Sequence, residues 1–175
     1  GVFNVVNGLG EVAGQALALH EDVAKITFTG STAVGKLMLQ YAGQSNMKKV
    51  SLECGGKSPQ IFMADLEDMD RAVAAAYNGI YANMGEVCNA GSRLLVHESI
   101  HDDFVERFVA AGRDAYVPGD PMNPETNMGP LVTREDQQRV LSMIDAGAKE
   151  GARLAFGGCV PEGLDSGAYV SPTLF

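Results

Sequence analysis

The segment KITFTGSTAVGKLMLQYAGQSNMKKVSL, residues 25–52, shows a strand, a helix and a second strand in immediate succession. Residues 25–29 are typical of a strand that Gly30 ends. Apolar residues then recur at helical spacing as far as Tyr41, which predicts a helix ending near Gly43. Residues 49–52 predict the next strand. Because strands that alternate with helices at this spacing pair in parallel through right-handed crossovers, the sequence predicts an α/β fold.

The same kind of pattern extends in both directions from this segment. Upstream, residues 2–6 predict a strand, and residues 11–19 predict a helix. Its shared face is formed by Val12, Gln15, Ala16 and Leu19. Downstream, a glycine pair at positions 55 and 56 interrupts the pattern. We therefore expect two domains, residues 1–55 and residues 56–175.

The second part of the chain repeats the alternation of strands and helices. Residues 59–63 and 93–97 predict strands, residues 66–81 predict a helix, and residues 117–130, rich in proline and asparagine, predict a loop. Ser99 with Asp102 and Thr133 with Asp136 resemble capping pairs. Each pair predicts the start of a further helix.

The composition is that of an ordinary globular protein: of the 175 residues, 46% are hydrophobic and 20% are charged. The net charge of −9 argues against a nucleic-acid partner, because such proteins carry a basic face. No apolar stretch is long enough for a bilayer and no secretory leader is visible, so we expect a cytoplasmic protein without a membrane partner. The chain lacks a first methionine and has an apolar run at each end, which predicts a piece of a longer polypeptide.

The numbers and spacings of the cysteines and histidines bear on whether the chain contains disulfides or a metal site. Cys54, Cys88 and Cys159 are odd in number and widely spaced, which predicts reduced thiols rather than a disulfide framework. The three histidines have no cysteine or carboxylate companions at ligand spacing. We therefore predict no metal site.

The first segment that could carry chemistry is ITFTGSTAVGK, residues 26–36. A strand that leads through Gly30 and Ser31 into a helix presents backbone N–H groups and the positive end of the helix dipole, where phosphate can bind. The spacing from Gly30 to Gly35 matches neither the usual dinucleotide fingerprint nor a Walker loop. A simpler interpretation is that Ser31 or Thr32 only caps the helix.

The second segment is VSLECGGKSP, residues 50–59. Glu53 stands at the carboxyl end of a predicted strand, the edge at which open α/β sheets bind their ligands. A carboxylate in this place could act as a general base. The alternative is a charged residue that marks the end of a strand and pairs with Lys57.

The third segment is NMGEVCNAGSR, residues 83–93. Cys88 lies in a small polar segment between Gly85 and Gly91, whereas a structural cysteine normally lies in an apolar run. Thiolate is a strong nucleophile, and flanking glycines allow close approach of a ligand, so Cys88 could be a catalytic nucleophile. The alternative is a free cysteine in an ordinary loop.

A phosphate-type loop, a strand-end glutamate and a cysteine between glycines, in this order, resemble the NAD(P)-dependent aldehyde dehydrogenase superfamily. In that family FTGS, LE-x-GGKSP and N-x-G-x-x-C occur in the same succession. The resemblance extends over essentially all 175 residues, including FNVVNGLG at the start and YVSPTLF at the end. It implies part of a Rossmann-like, parallel-sheet coenzyme domain followed by part of an α/β catalytic domain.

The resemblance also implies a reaction. The cysteine matching Cys88 attacks an aldehyde carbon, and hydride leaves for NAD, or alternatively NADP. The glutamate matching Glu53 then activates water to hydrolyse the thioester, and the backbone N–H of Cys88 helps to hold the oxyanion. The cofactor would be bound by the residues that match the family's contacts, namely Gly8, Thr29, Gly30, Ser31, Val34, Gly35 and Cys54.

Departures from the family pattern bear on the substrate. LECGGKSP with GEVCNAGSRLLV is similar to members acting on ω-amino aldehydes, such as γ-aminobutyraldehyde and γ-glutamyl-γ-aminobutyraldehyde, and betaine aldehyde dehydrogenases are near neighbours. Glu86 stands where many members have glutamine; it either favours a cationic substrate or is a solvated loop carboxylate. Cys54, where many members have leucine, is either an apolar replacement or a partner of Cys88 in a regulatory disulfide.

The resemblance further implies a small aldehyde as substrate and a homo-oligomer, either a dimer or a tetramer. It places the family's oxyanion asparagine and some of its cofactor contacts before Gly1 or after Phe175, so we expect the 175 residues alone to be inactive. Two other interpretations remain open. One is a catalytically silent relative with a structural or interaction role, and the other is a thiol esterase that uses Cys88 without a cofactor.

Overall fold

The computed structural model describes residues 1–175. The chain forms two compact units, residues 1–56 and residues 57–175, each with its own two-stranded parallel sheet. None of the helices combines the length and the apolar character that crossing a bilayer requires.

The first unit is built on one strand–helix–strand crossover. A wide helical turn (Gly10–Gly14) is followed by helix α1 (Gln15–Leu19), strand β1 (Lys25–Gly30), helix α2 (Thr32–Gln44) and strand β2 (Lys49–Cys54). β1 and β2 are parallel, in register from the Lys25–Lys49 pair to the Gly30–Cys54 pair. α2 packs against both strands, with Gly35 buried at the contact. The parallel α/β arrangement predicted for residues 25–52 is confirmed.

The helix predicted over residues 11–19 exists, but only part of the predicted face is covered: Gln15 and Leu19 are half-buried, and Ala16 is exposed. Ala18 is 1% exposed, whereas Val12 is 64% exposed. The helix starts with a π-turn, which takes more residues than an α-turn, so a period of 3.6 residues places Val12 on the wrong side. Lys48 holds the end of α1, because its ammonium group donates to the carbonyl oxygens of Ala18 (2.6 Å) and His20 (3.0 Å).

The strand predicted for residues 2–6 is wrong. This segment belongs to no β-ladder, and its four apolar side chains are all exposed. The backbone groups of a strand need a neighbouring strand as their partner, and β1 and β2 pair only with each other. An apolar pattern without such a neighbour does not make a strand.

The second unit contains the remaining elements. They are strand β3 (Pro59–Phe62), helix α3 (Met69–Tyr81), strand β4 (Arg93–Val96), helix α4 (His101–Ala115) and helix α5 (Arg134–Lys149). β3 and β4 are parallel, with Phe62 opposite Val96. α3 packs against α4. The buried core of the unit is formed by Phe62, Val73, Ala76, Tyr81, Phe104, Phe108 and Phe156.

Two long segments of the second unit have little regular structure. Residues 117–130 form the predicted loop, which a single bridge between Pro118 and Met128 closes. After α5 the chain returns through residues 151–175, where Phe156 bridges to Leu174. The apolar run at the end of the sequence therefore packs on the core without forming a regular strand.

One of the two predicted helix starts is confirmed. Thr133 caps α5, since its hydroxyl oxygen accepts from the N–H of Asp136 (3.0 Å). The pair formed by Ser99 and Asp102 is not a cap. A short 3₁₀ turn (Glu98–Ile100) precedes α4, and the His97 ring accepts from the N–H of Ser99 (3.2 Å). Because His97 already supplies this acceptor, the chain enters the turn before α4 at a different residue.

Candidate active site

Cys88 lies in the loop that joins α3 to β4, residues 82–92, called the Cys88 loop below. The N–H of Ala90 donates to the carbonyl oxygen of Val87 (3.1 Å), which forms a turn around Cys88. Cys88 is exposed, whereas Ala90 and Gly91, directly after the turn, are buried. The thiol is therefore open to solvent while the backbone a few residues later is fixed in the protein.

Near its start, the Cys88 loop has three consecutive residues in the left-handed conformation. The φ angle is 50° at Asn83, 57° at Met84 and 73° at Gly85. Asn83 closes this turn, because its carbonyl oxygen accepts from the N–H of Glu86 (2.9 Å) and its side-chain amide donates to the Glu86 carbonyl oxygen (3.1 Å). A methionine is disfavoured in this region, and such strain occurs preferentially at functional sites. The turn ends α3 and directs the chain towards Cys88.

Tyr81, the last residue of α3, anchors the start of the Cys88 loop. Its side chain is buried, and its hydroxyl donates to the carbonyl oxygen of Thr173 (3.2 Å). Burial raises the pKa of Tyr81 well above its usual value. The hydroxyl therefore remains protonated, and remains a donor, at physiological pH.

Glu53 is the penultimate residue of β2, at the carboxyl end of the first unit's sheet. It lies opposite Thr29 of β1, and both residues are exposed. The next residue, Cys54, faces the other side of the sheet because side chains alternate along a strand. Its sulfur lies 3.1 Å from where a Cβ at Gly35 would be, so Cys54 packs against α2. The strand pairing thus brings Thr29, Gly30, Glu53 and Cys54 together at one sheet edge.

Ser31 caps α2. Its hydroxyl oxygen accepts from the N–H of Val34 (3.3 Å), as the simpler interpretation of this residue expected. Capping leaves the helix dipole in place, and Gly30, Ser31 and Thr32 are exposed between the carboxyl end of β1 and the positive end of α2. An anionic group can be held at this point.

A cavity of about 560 Å³ lies beside α2 in the first unit. Its wall comes from the wide turn, α1, β1 and α2, and it includes Val34 and Leu37, which follow one another by three residues on α2. Val34 is predicted from the sequence as a cofactor contact, whereas Leu37, Gly10 and Glu11 of the same wall are not. The spacing of two apolar residues at i and i+3 early in the helix was the available signal. Gly8 is not part of this wall.

The two candidate catalytic residues belong to different units, Glu53 to the first and Cys88 to the second. That they face one another in a shared site stays a prediction. All three cysteines are free thiols, and no group of three or more His, Cys, Asp or Glu side chains is arranged to hold a metal ion.

Known proteins resemble this chain over its whole length. The model of the aldehyde dehydrogenase family matches residues 1–175. Aldehyde dehydrogenase 1A1 of Oryctolagus cuniculus is 48% identical over 175 residues, which are 100% of this chain and 34% of that protein. The chain thus spans 34% of the length of the curated relatives it matches.

Solved structures resemble it to the same extent. Gamma-glutamyl-gamma-aminobutyraldehyde dehydrogenase from Burkholderia cenocepacia J2315 matches with a TM-score of 0.92 and 55% identity, covering 98% of this chain and 34% of that chain. Indole-3-acetaldehyde dehydrogenase in a complex with NAD+ matches with a TM-score of 0.91 and 49% identity, covering 95% of this chain and 33% of that chain. With a family model that matches every residue, these similarities show that the chain belongs to the aldehyde dehydrogenase family.

Proposed function

We propose that the full-length protein carrying this chain oxidises an aldehyde to its carboxylic acid, with NAD+ as the hydride acceptor. The observation that carries the proposal is the exposed thiol of Cys88 in a loop whose two ends are held by buried residues. A cysteine presented in this way can meet a carbonyl carbon in one orientation. Relatives named aldehyde dehydrogenase match all 175 residues, and a similar structure contains NAD+.

The two units receive different roles in this proposal. The coenzyme-binding part covers the first unit, residues 1–55 by the sequence boundary, and the catalytic part covers residues 56–175. The exposed Gly30 and Ser31 at the start of α2 fit a diphosphate. The neighbouring cavity fits a flat, largely apolar ring, since about 560 Å³ is within the range of ligand pockets. Further contacts would come from Gly8, Thr29, Val34, Gly35 and Cys54.

Cys88 carries the first half of the reaction. Its thiolate forms a bond to the carbonyl carbon, and the carbonyl oxygen takes up the negative charge, towards which the backbone N–H of Cys88 would donate. When bound, NAD+ supplies the acceptor for the hydride that this carbon loses. Cys88 is then acylated as a thioester.

Glu53 carries the second half. Its carboxylate takes a proton from water, and the water oxygen bonds to the thioester carbon. The carbon–sulfur bond breaks, the carboxylic acid leaves, and Cys88 returns as thiolate. The position of Glu53, exposed at the carboxyl end of a parallel strand, supports this role.

Kinetics of the full-length protein test the proposal. With a panel of aldehydes and NAD+, NADH formation should disappear in Cys88→Ala and persist in Cys159→Ala, a matched control because Cys159 is also an exposed free cysteine of the second unit. Glu53→Gln should release about one NADH per site and then stall as the acylated enzyme. Full dehydrogenase activity in Cys88→Ala would contradict the mechanism. Ester cleavage without any NADH formation would favour the thiol esterase, and no reaction at all would favour the silent relative.

We propose ω-amino aldehydes as the substrate class. The similar gamma-glutamyl-gamma-aminobutyraldehyde dehydrogenase is 55% identical to this chain, against 49% for the indole-3-acetaldehyde enzyme, and Glu86 near Cys88 is exposed. The value of kcat/KM should therefore be higher for γ-aminobutyraldehyde than for indole-3-acetaldehyde. The reverse order would reject the substrate class and leave the reaction chemistry standing.

The remaining expectations concern the whole protein. We propose a homo-oligomer, a dimer or a tetramer, in the cytoplasm. A relative from Mus musculus is named cytosolic aldehyde dehydrogenase 1. Sedimentation of the full-length protein and its fractionation from cells would test the two expectations separately.

A further inference from the structure

The side chain of Gln60 joins three parts of the second unit. Gln60 is the second residue of β3, and its amide nitrogen donates to the carbonyl oxygen of Ala76 in α3 (3.0 Å) and to that of Gly91 in the Cys88 loop (2.8 Å). A glutamine amide has two N–H donors, so both are used by backbone carbonyls. One side chain therefore fastens the Cys88 loop to a strand and to a helix.

Two glycines leave room for this amide. A Cβ at Gly91 would lie 2.5 Å from Cδ of Gln60, and a Cβ at Gly79 would lie 2.9 Å from Oε1 of Gln60. Both distances are below van der Waals contact, so a side chain at either position would displace Gln60. The N–H of Gly91 also donates to the carbonyl oxygen of Gly79 (2.9 Å). Gly91 is thus held through both of its polar backbone groups.

The hydrogen bonds that fix Gly91 lie close in sequence to the candidate nucleophile, Cys88. Gly91 is buried and follows Cys88 by three residues, with only the end of the turn between them. A buried carbonyl oxygen that loses its donor is unfavourable, so removing the Gln60 amide would allow Gly91 and the preceding turn to move. The contacts at the other end of the Cys88 loop, through Tyr81 and Asn83, do not reach Gly91.

We infer that Gln60 is a positioning residue for the reaction: acting through Gly91, it sets the direction in which the Cys88 thiol meets the substrate carbonyl. The role rests on the proposed function. The expected effect on the rate follows from the geometry of bond formation, because a displacement of about 1 Å at a reacting group lowers the rate about 100-fold. A glutamine that only filled space in the core would affect stability alone.

The first test replaces the amide by an apolar side chain of similar length. In the full-length protein, Gln60→Met should lower kcat by about 10- to 100-fold, while KM for the aldehyde changes by less than about 2-fold. Gln137→Met is the matched control. Gln137 also donates to two backbone carbonyls, those of Tyr169 (2.7 Å) and Gly167 (3.4 Å), but neither belongs to the Cys88 loop. Its kcat should stay at the parental value.

A second variant covers the case in which Gln60→Met does not fold. Gly79→Ala adds a better helix former near the end of α3, which offsets part of the cost of the displaced hydrogen bonds, so the variant should remain folded. The new methyl group pushes only on the flexible end of Gln60 and displaces its amide. We expect kcat to fall in Gly79→Ala by about 5-fold or more while the variant remains folded.

Hydrogen exchange separates this inference from the proposed function. Exchange at residues 88–93 should be at least about 10-fold faster in Gln60→Met, with the rest of the second unit unchanged. Parental kcat in folded Gln60→Met and Gly79→Ala, or faster exchange spread evenly over the unit, would overturn the positioning role and leave the proposed function intact. If the parent oxidises no aldehyde, the proposed function fails; unchanged exchange at residues 88–93 would then show that Gln60 does not hold the loop either.

Discussion

At Gly157 the returning chain passes directly over the segment that accepts the hydroxyl of Tyr81. Gly157 has a φ of 80°, and a Cβ there would overlap the carbonyl oxygen of Pro172 and lie 2.9 Å from Cα of Thr173. Because the carbonyl of Thr173 accepts from Tyr81 at the start of the Cys88 loop, this close backbone approach supports the candidate site. The absence of a side chain at Gly157 is therefore a structural requirement.

Gly157→Ala should destabilise the protein by about 3 kcal/mol or more, since a left-handed residue costs about 1–2 kcal/mol and the overlap adds overpacking. Gly163→Ala is the matched control, because Gly163 has a φ of 77° and nothing within 4 Å of its Cβ position. Its cost should be only that of the left-handed conformation, about 1–2 kcal/mol. Urea unfolding gives both values. Equal costs for the two variants would mean that the overlap with Pro172 is relieved without strain.

At the scale of the elements, the start of α5 depends on a titratable group. The carboxylate of Asp136 accepts from the hydroxyl of Thr133 (2.7 Å) and pairs with Arg139 (2.9 Å). The bond from Thr133 first, and that from Arg139 second, lower the pKa of Asp136. Because the folded pKa lies below the unfolded one, the interaction stabilises the protein fully above about pH 4 and is lost as the pH falls through the lower, folded pKa.

Asp136→Asn should therefore lower the urea midpoint at neutral pH, and its difference from the parent should shrink as the pH falls below about 4. Thr133→Ser keeps the hydroxyl and should retain the parental pH dependence, whereas Thr133→Ala should weaken it. Urea midpoints measured across the acid range check this. A difference that stays constant down to the lowest pH would show that the stabilisation does not depend on the charge of Asp136.

The elements that the sequence predicts correctly are those whose signals are local. β1, α2 and β2 each carry their own periodicity, and the cap at Thr133 lies three residues from its partner. The failures depend on something outside the segment. Residues 2–6 have a strand pattern but no neighbouring strand, and Ser99 is bound by the ring of His97 instead of capping α4. A local sequence pattern predicts which secondary structure a segment can adopt. Contacts with neighbouring segments determine whether it adopts that structure.

For the whole molecule, the same limit applies to the candidate site. The location of Glu53 at a strand end and that of Cys88 in an exposed loop could be predicted, because short motifs carry both residues. The hydrogen bond from Gln60 that fixes the Cys88 loop could not be predicted. It joins Gln60 to Gly91, 31 residues apart, and a single glutamine in a strand does not indicate such a contact. The left-handed conformation of Met84 could not be predicted either, since Asn83 and Gly85 on its two sides are residue types that favour this conformation and methionine is not.

The surface of the whole chain combines a net charge of −9 with exposed apolar side chains in residues 2–6. Like charges keep copies apart, and apolar side chains favour association once salt screens the charge. Raising NaCl from about 0.1 M to about 1 M shortens the Debye length from about 10 Å to about 3 Å. We therefore expect sedimentation velocity to show self-association of the 175-residue chain at about 1 M NaCl. Phe3→Ser with Val5→Ser should reduce this association. Asn4→Ser with Asn7→Ser, at polar positions within and directly after this segment, should not. If the first pair leaves the association unchanged, another surface of the chain drives it.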